Sequence, residues 1–256
     1  MGFLNILFIM GFLNIFKKNS NSTNVSMDNA NKEDMNSRIE KINLAKDVVG
    51  KVCLTKKSLQ NLTSRVGLVL DYSGSMGWMY DNGTIQNLIE KIIPIALQFD
   101  DNGSMEVWIF ENGYHRLPDI NINNFYNYVE REITNKYRMG GTYYAPVMED
   151  VVNRYTNQEK SNNPNYVIFI TDGDNSDHSK TTEVITECAD KPIFWQFVGV
   201  GNNSFSYLEK LDDLTGRYVD NADFFSVSTT DDITYEKLLN EYPQWLENDK
   251  VKAMLI

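Results

Sequence analysis

The sequence predicts an α/β protein built on a doubly wound, mostly parallel open sheet of the Rossmann-like kind, with helices on both faces. Three observations predict it. Short continuous apolar runs return along the chain, stretches with helical apolar spacing separate most of them, and oxygen-bearing side chains gather where several of the runs stop. The first run, VGLVLD at 66–71, is halted by polar turn residues, the pattern of a parallel strand buried on both faces.

Strand signals of the same kind occupy 105–110, 166–171, 193–200 and 224–227. The segment 114–117 follows the second of the six strand signals across Glu111-Asn112-Gly113 and is expected as a short antiparallel edge strand. After the first strand, Ile85, Leu88, Ile89, Ile92, Ile93 and Ala96 trace one face of a helix that Pro94 should kink or restart. Further helical patterns occupy 125–133, 145–155, 181–188, 207–214 and 233–239, the last running on toward Trp245. In this architecture ligands bind beyond the carboxyl ends of the strands, where the strand order reverses.

The main domain is expected over 63–256. Before it, Ile39, Ile42, Ala45, Val49 and Val52 recur at helical spacing and predict an amphipathic extension over 37–62. Residues 1–36 read as an apolar tip and a disordered linker: 19–36 is rich in Asn, Ser, Asp and Lys with little to bury. The hexapeptide MGFLNI occurs twice, from Met1 and from Met10, as a duplicated start would. The apolar stretch 1–16 is shorter than the roughly 20 residues a spanning helix needs, so a weak anchor on a membrane surface is the lesser reading. An N-myristoylation pattern fails, because Ile6 or Ile15 stands where Ser or Thr is required.

At 42% hydrophobic and 23% charged residues, the 256-residue chain has the composition of a soluble globular protein. Its formal net charge of -11 opposes a nucleic-acid partner, since phosphate backbones would repel it. Two cysteines, Cys53 and Cys188, are too few for a disulfide framework and point to a reducing, cytoplasmic location.

Asp71-Tyr72-Ser73-Gly74-Ser75 stands at the carboxyl end of the first strand, where a carboxylate and two hydroxyls can converge if Gly74 lets the backbone turn. Such hard oxygen ligands suit Mg²⁺, although Asp and Ser also collect at helix starts simply as caps. Two further segments favour the metal. Gly140-Gly141-Thr142 precedes the helix at Ala145, and Thr171-Asp172-Gly173 ends a strand, so both put oxygen side chains on the same sheet edge.

With DYSGSM, DDNGSMEVWIF, MGGTYYAPVM and FITDGDNSDH, the stretch from 66 to 239 resembles the von Willebrand factor A (vWA) family. The resemblance implies a metal-ion-dependent adhesion site (MIDAS) of Asp71, Ser73, Ser75, Thr142 and Asp172. Ser73, Ser75 and Thr142 are then expected to touch the ion directly, and Asp71 and Asp172 to act through water or by direct contact as the loops move. Mg²⁺ is the expected ion, with Mn²⁺ or Ca²⁺ as alternatives. One open position would receive an Asp or Glu of a protein partner, so binding rather than catalysis is implied. The wording is most similar to the intracellular bacterial branch associated with tellurite resistance and chemical stress.

Other readings compete. Asp172, Asp174, Ser176 and Glu183 occupy positions 1, 3, 5 and 12 of a calcium loop, but Asp177 stands where the sharp turn wants Gly, and Lys180 holds position 9. Asp174 and Asp177 then add negative potential to the rim of the metal site, or are merely solvated. A Mg²⁺-dependent phosphatase would place a second acid where Ser73 stands. A hydrolase elbow fails because Ser73 replaces the first Gly around Ser75. Gly199-Val200-Gly201 begins a dinucleotide fingerprint that fails at Ser204, and a close backbone turn accounts for it better. His115 and His178 have no triad context, and His178 reads as a surface imidazole. Trp78, Tyr80, Tyr143 and Tyr144 either rim an interaction surface or pack helix starts against the sheet.

Overall fold

The computed structural model describes residue 29 and residues 31–255; the readings made for 1–28 lie outside the described residues. The chain divides into two units, Met1–Lys41 and Ile42–Ile256. Residues 31–54 are helical (α1), and the unit boundary falls within them. The helix thus begins inside the polar stretch read as linker. Composition there offers little to bury, but Asp34 and Arg38 pair at 3.0 Å across one turn, a local stabilisation that burial does not measure. In the second unit, α1 buries Ile42, Val49, Val52 and Cys53, as its apolar stripe predicts.

Six strands form one sheet in the order β3-β2-β1-β4-β5-β6. They are β1 (Arg65–Asp71), β2 (Met105–Phe110), β3 (Tyr114–Ile120), β4 (Asn165–Thr171), β5 (Ile193–Val200) and β6 (Ala222–Val227). All neighbours run parallel except β3, which returns antiparallel along β2. Every residue of β4 and β5 is buried, because helices cover both faces. β3 is the edge, and the edge tolerates Pro118, which has no N–H to give a further strand.

The helices that follow β1 are α2 (Gly77–Asp81) and α3 (Thr84–Phe99); after β3 come α4 (Ala145–Asn153), α5 (His178–Glu187) and α6 (Ser206–Asp212). The chain closes with α7 (Tyr235–Leu238), α8 (Tyr242–Glu247) and α9 (Asp249–Met254). α3 runs unbroken through Pro94. Burial of Ile85, Leu88, Ile89, Ile92, Ile93 and Phe99 along its inner face outweighs the one hydrogen bond that proline cannot donate. The 125–133 pattern is realised only as turns and a π-helical turn at Val129–Thr134. α8 docks through aromatic rings, with Tyr242 at 4.6 Å from Tyr166 and 5.4 Å from Phe194.

Successive parallel connections leave β1 toward β2 on one side, and β4 joins β1 on the other. The strand order therefore reverses between β1 and β4. The crevice beyond their carboxyl ends is where this architecture places a ligand, and Asp71 and Thr171 are the last residues of those two strands.

Candidate metal centre

Asp71 is fully buried, and both carboxylate oxygens are engaged: Oδ1 accepts from the Ser73 N–H at 2.7 Å and Oδ2 from the Thr171 hydroxyl at 2.7 Å. Burial pushes its carboxyl up to about 6, against the lowering effect of these hydrogen bonds, and the Asp172 charge adds to the rise. The Tyr80 hydroxyl donates to the Asp71 carbonyl at 2.7 Å and fixes the strand end from below.

From this anchor a chain of oxygens crosses to β4. Ser73 Oγ lies 3.1 Å from Ser75 Oγ, and the Ser75 hydroxyl donates to Asp172 Oδ1 at 2.8 Å. Asp172 is largely buried, which raises its pKa, while the Ser75 bond lowers it. Gly74 does not have the positive φ expected of a turn glycine, and a Cβ there would come no closer than 4.0 Å to the Gly140 carbonyl. The loop turns instead by entering a 3-10 turn at Gly74–Met76.

The segment that carries Thr142 is brought beside Ser73 through backbone pairing. Ser73 and Gly140 form a parallel bridge, and the Gly74 N–H donates to the Gly140 carbonyl at 3.1 Å. The Ser176 N–H donates to the Thr142 carbonyl at 2.8 Å, tying this segment to the loop after β4. Gly141 is approached closely by Asn112: its N–H donates to Asn112 Oδ1 at 2.6 Å, and a Cβ would also meet that oxygen at 2.6 Å, so a larger residue would push the Asn112 side chain aside. Asn112 is thus a support that the sequence did not flag, since it read only as part of a turn.

Asp177 is a second missed support. Its two carboxylate oxygens accept the N–H groups of Tyr144 at 3.0 Å and Ala145 at 2.8 Å, so it caps α4 from another loop rather than remaining solvated. Residues 178–183, which would be positions 7 to 12 of the calcium loop, are helical here, and Glu183 pairs with Lys180 at 3.2 Å. The Gly199 reading agrees with the structure in kind: a Cβ there would lie 2.7 Å from the Phe205 ring. His178 is exposed and stacks on Tyr207 at 3.9 Å between ring centroids.

The four aromatic residues divide. Tyr80 and Tyr144 are buried and serve as braces, Tyr144 reaching the Thr171 hydroxyl at 3.1 Å, whereas Trp78 is 59% exposed and Tyr143 38% exposed. A hard divalent ion accepts an all-oxygen donor set of this kind, and Ser73, Ser75 and Asp172 present such oxygens in contact with one another.

A mostly parallel sheet with its reversal point at a DxSxS loop, faced by a Gly-Gly-Thr segment and a strand-ending Thr-Asp, defines a vWA domain. The family model of vWA domains found in the TerF C terminus matches residues 63–255, and the chain belongs to that family. It is 44% identical over 212 residues to the uncharacterized protein YcbR of Bacillus subtilis (strain 168), covering 80% of this chain and 86% of that one. Among solved structures, the fold is similar to mussel byssus proximal thread matrix protein 1 with a zinc-occupied MIDAS motif (15% identity, TM-score 0.50, 75% of this chain and 46% of that one). The chain therefore spans less than half the length of that protein. It is also similar to manganese-loaded TRAP protein of Plasmodium vivax (16% identity, TM-score 0.50, 75% of this chain and 74% of that one). No helix among the described residues is long and apolar enough to cross a membrane.

Proposed function

We propose that this protein is a metal-dependent protein-binding domain, an adaptor or scaffold rather than an enzyme. A Mg²⁺ held by Ser73, Ser75 and Thr142, with Asp71 and Asp172 around it, takes an Asp or Glu side chain of the partner. The observation that carries this reading is the continuous oxygen chain from Asp71 through Ser73 and Ser75 to Asp172 at the reversal point of the sheet. Both oxygens of Asp71 are already engaged, so its part is to orient the loop and to balance charge. The hydroxyls that touch the ion are neutral, so an external carboxylate finds a favourable direct contact on it. Exposed Trp78 and Tyr143 supply apolar contact area beside it, as aromatic residues do at interface cores. Kinship with the TerF-type vWA domains supports a place in a bacterial stress or tellurite-resistance system.

Calorimetric titration of Mg²⁺ and Mn²⁺ tests the ligand set. Asp71→Ala and Thr142→Ala should each weaken binding by roughly ten- to a hundredfold without unfolding the chain. Proteins retained on the immobilised chain in Mg²⁺ should be released by EDTA and absent with Asp71→Ala. Because linkage is reciprocal, an acidic partner should tighten metal binding by the same factor as metal tightens the partner. Metal affinity unchanged in both variants, or partner retention indifferent to EDTA, would overturn the proposal.

A further inference from the structure

A second group of carboxylates lies at the other end of the sheet. Asp223 is the second residue of β6, Asp212 the last of α6, and Glu241 immediately precedes α8. One carboxylate oxygen from each lies within 4.8 Å of the others. Acidic clusters are common on protein surfaces, but this one has a buried member. Asp223 is only 5% exposed, and its Oδ2 has no hydrogen-bond partner. A buried carboxylate oxygen without a donor is costly unless a cation or proton meets it.

The surroundings fit a cation. Gln196, which is in register with Asp223 on the neighbouring strand, gives its side-chain N–H to the Asp223 carbonyl at 3.2 Å, and its own Oε1 is a second buried oxygen without a donor. Arg217 is the nearby positive charge, yet its guanidinium donates to the Asp212 and Leu214 carbonyls, to Asn221 and to the Asp220 carboxylate. Among the described residues, no ion pair joins Asp212, Asp223 or Glu241 to a basic side chain. A depression of about 500 Å³, lined by Asp212, Arg217, Asp220 and Glu241 among others, opens the cluster to solvent.

We propose that Asp212, Asp223 and Glu241 form a second divalent-cation site, separate from the metal centre proposed at the carboxyl ends of the strands and suited to Ca²⁺. The three carboxylates lie close enough together to share one ion. Ca²⁺ accepts irregular carboxylate cages, whereas Mg²⁺ demands near-ideal octahedral geometry and dehydrates reluctantly. Carboxylates are ligands that Ca²⁺ takes, and its flexible coordination accepts the uneven exposure of the three acids. The bound ion joins the end of α6, the start of β6 and the approach to α8, so it fastens the C-terminal helices to the sheet.

Equilibrium dialysis of ⁴⁵Ca²⁺ against the full chain, with thermal unfolding in parallel, tests the site. Thr142→Ala is the background in which the first metal centre is weakened. In that background one Ca²⁺ per chain should remain, and Ca²⁺ should raise the unfolding temperature more than equimolar Mg²⁺ does. Glu241→Gln and Asp212→Asn, both at partly exposed positions, should each weaken this Ca²⁺ by roughly tenfold or more while leaving the far-UV circular dichroism unchanged. Asp223→Asn should abolish it. Unaltered Ca²⁺ stoichiometry and affinity in folded Glu241→Gln and Asp212→Asn, or absence of any Ca²⁺ in the Thr142→Ala background, would overturn the proposal.

Discussion

Asp71 concentrates the electrostatics of the proposed metal centre in one side chain. Its folded-state carboxyl, at about 6, lies above the unfolded value of about 3.9, so the native metal-free protein holds this proton more tightly than the unfolded chain. Its contribution to stability is therefore fully present below about pH 4 and is lost as pH rises through about 6, on the order of 3 kcal/mol in all. On the proposed function a bound divalent ion would reverse the preference, because it favours the carboxylate. In the presence of EDTA, Asp71→Asn should flatten the decline of the thermal midpoint between pH 4 and 6.5 relative to wild type. A pH profile parallel to wild type would show that burial of Asp71 does not carry this cost. The candidate positions stand out in the sequence because DxSxS, Gly-Gly-Thr and Thr-Asp-Gly are short, ordered motifs at strand and helix boundaries, and four of them, Asp71, Ser73, Ser75 and Asp172, meet in one hydrogen-bonded chain. Asn112 and Asp177 were not legible, because each acts on a segment more than 25 residues away, through backbone N–H groups that carry no sequence signature.

Loops that hold a metal need rigid ends, and α4 shows how one is made. Its first N–H groups are satisfied by Asp177, which sits at the start of α5 yet does not cap that helix with its own side chain. Asp177→Ala should cost about 1–2 kcal/mol in urea unfolding and should also weaken Mg²⁺ binding, since Thr142 lies just ahead of the capped turn. Lost stability with metal affinity intact would mean that the cap and the centre are uncoupled. The six strands were legible within a few residues of their ends, five because continuous apolar runs are bounded by polar turns and β3 because it follows the turn at Glu111-Asn112-Gly113. Elements made of mixed pattern fared less well. The 125–133 stretch has apolar residues at helical spacing but folds as turns and a π-helical turn, and α9 has Val251 as its one buried residue and so little stripe to read.

At the scale of the whole molecule, the second unit begins at Ile42 inside α1, within the amphipathic extension expected over 37–62 and ahead of the main domain expected from 63. Chains shortened to start at Ile42 should keep the thermal midpoint of the full chain within a few degrees. Chains shortened to start at Thr63 should lose several degrees, because Val49, Val52, Cys53 and Leu59 leave the core with the deleted segment. Equal midpoints for the two truncations would show that α1 is dispensable to the sheet.

The bond between Thr171 and Asp71 joins residues 100 positions apart, and it exists only where β4 lies beside β1. Contacts of such long range are made late in folding, since a large loop must close before either partner is rewarded. A nascent chain carries Asp71, Ser73 and Ser75 but lacks Asp172 and the Thr171 bond while β4 is still unsynthesised, so the proposed centre is incomplete until then. On the proposed function, recognition of a partner waits on the pairing of those two strands.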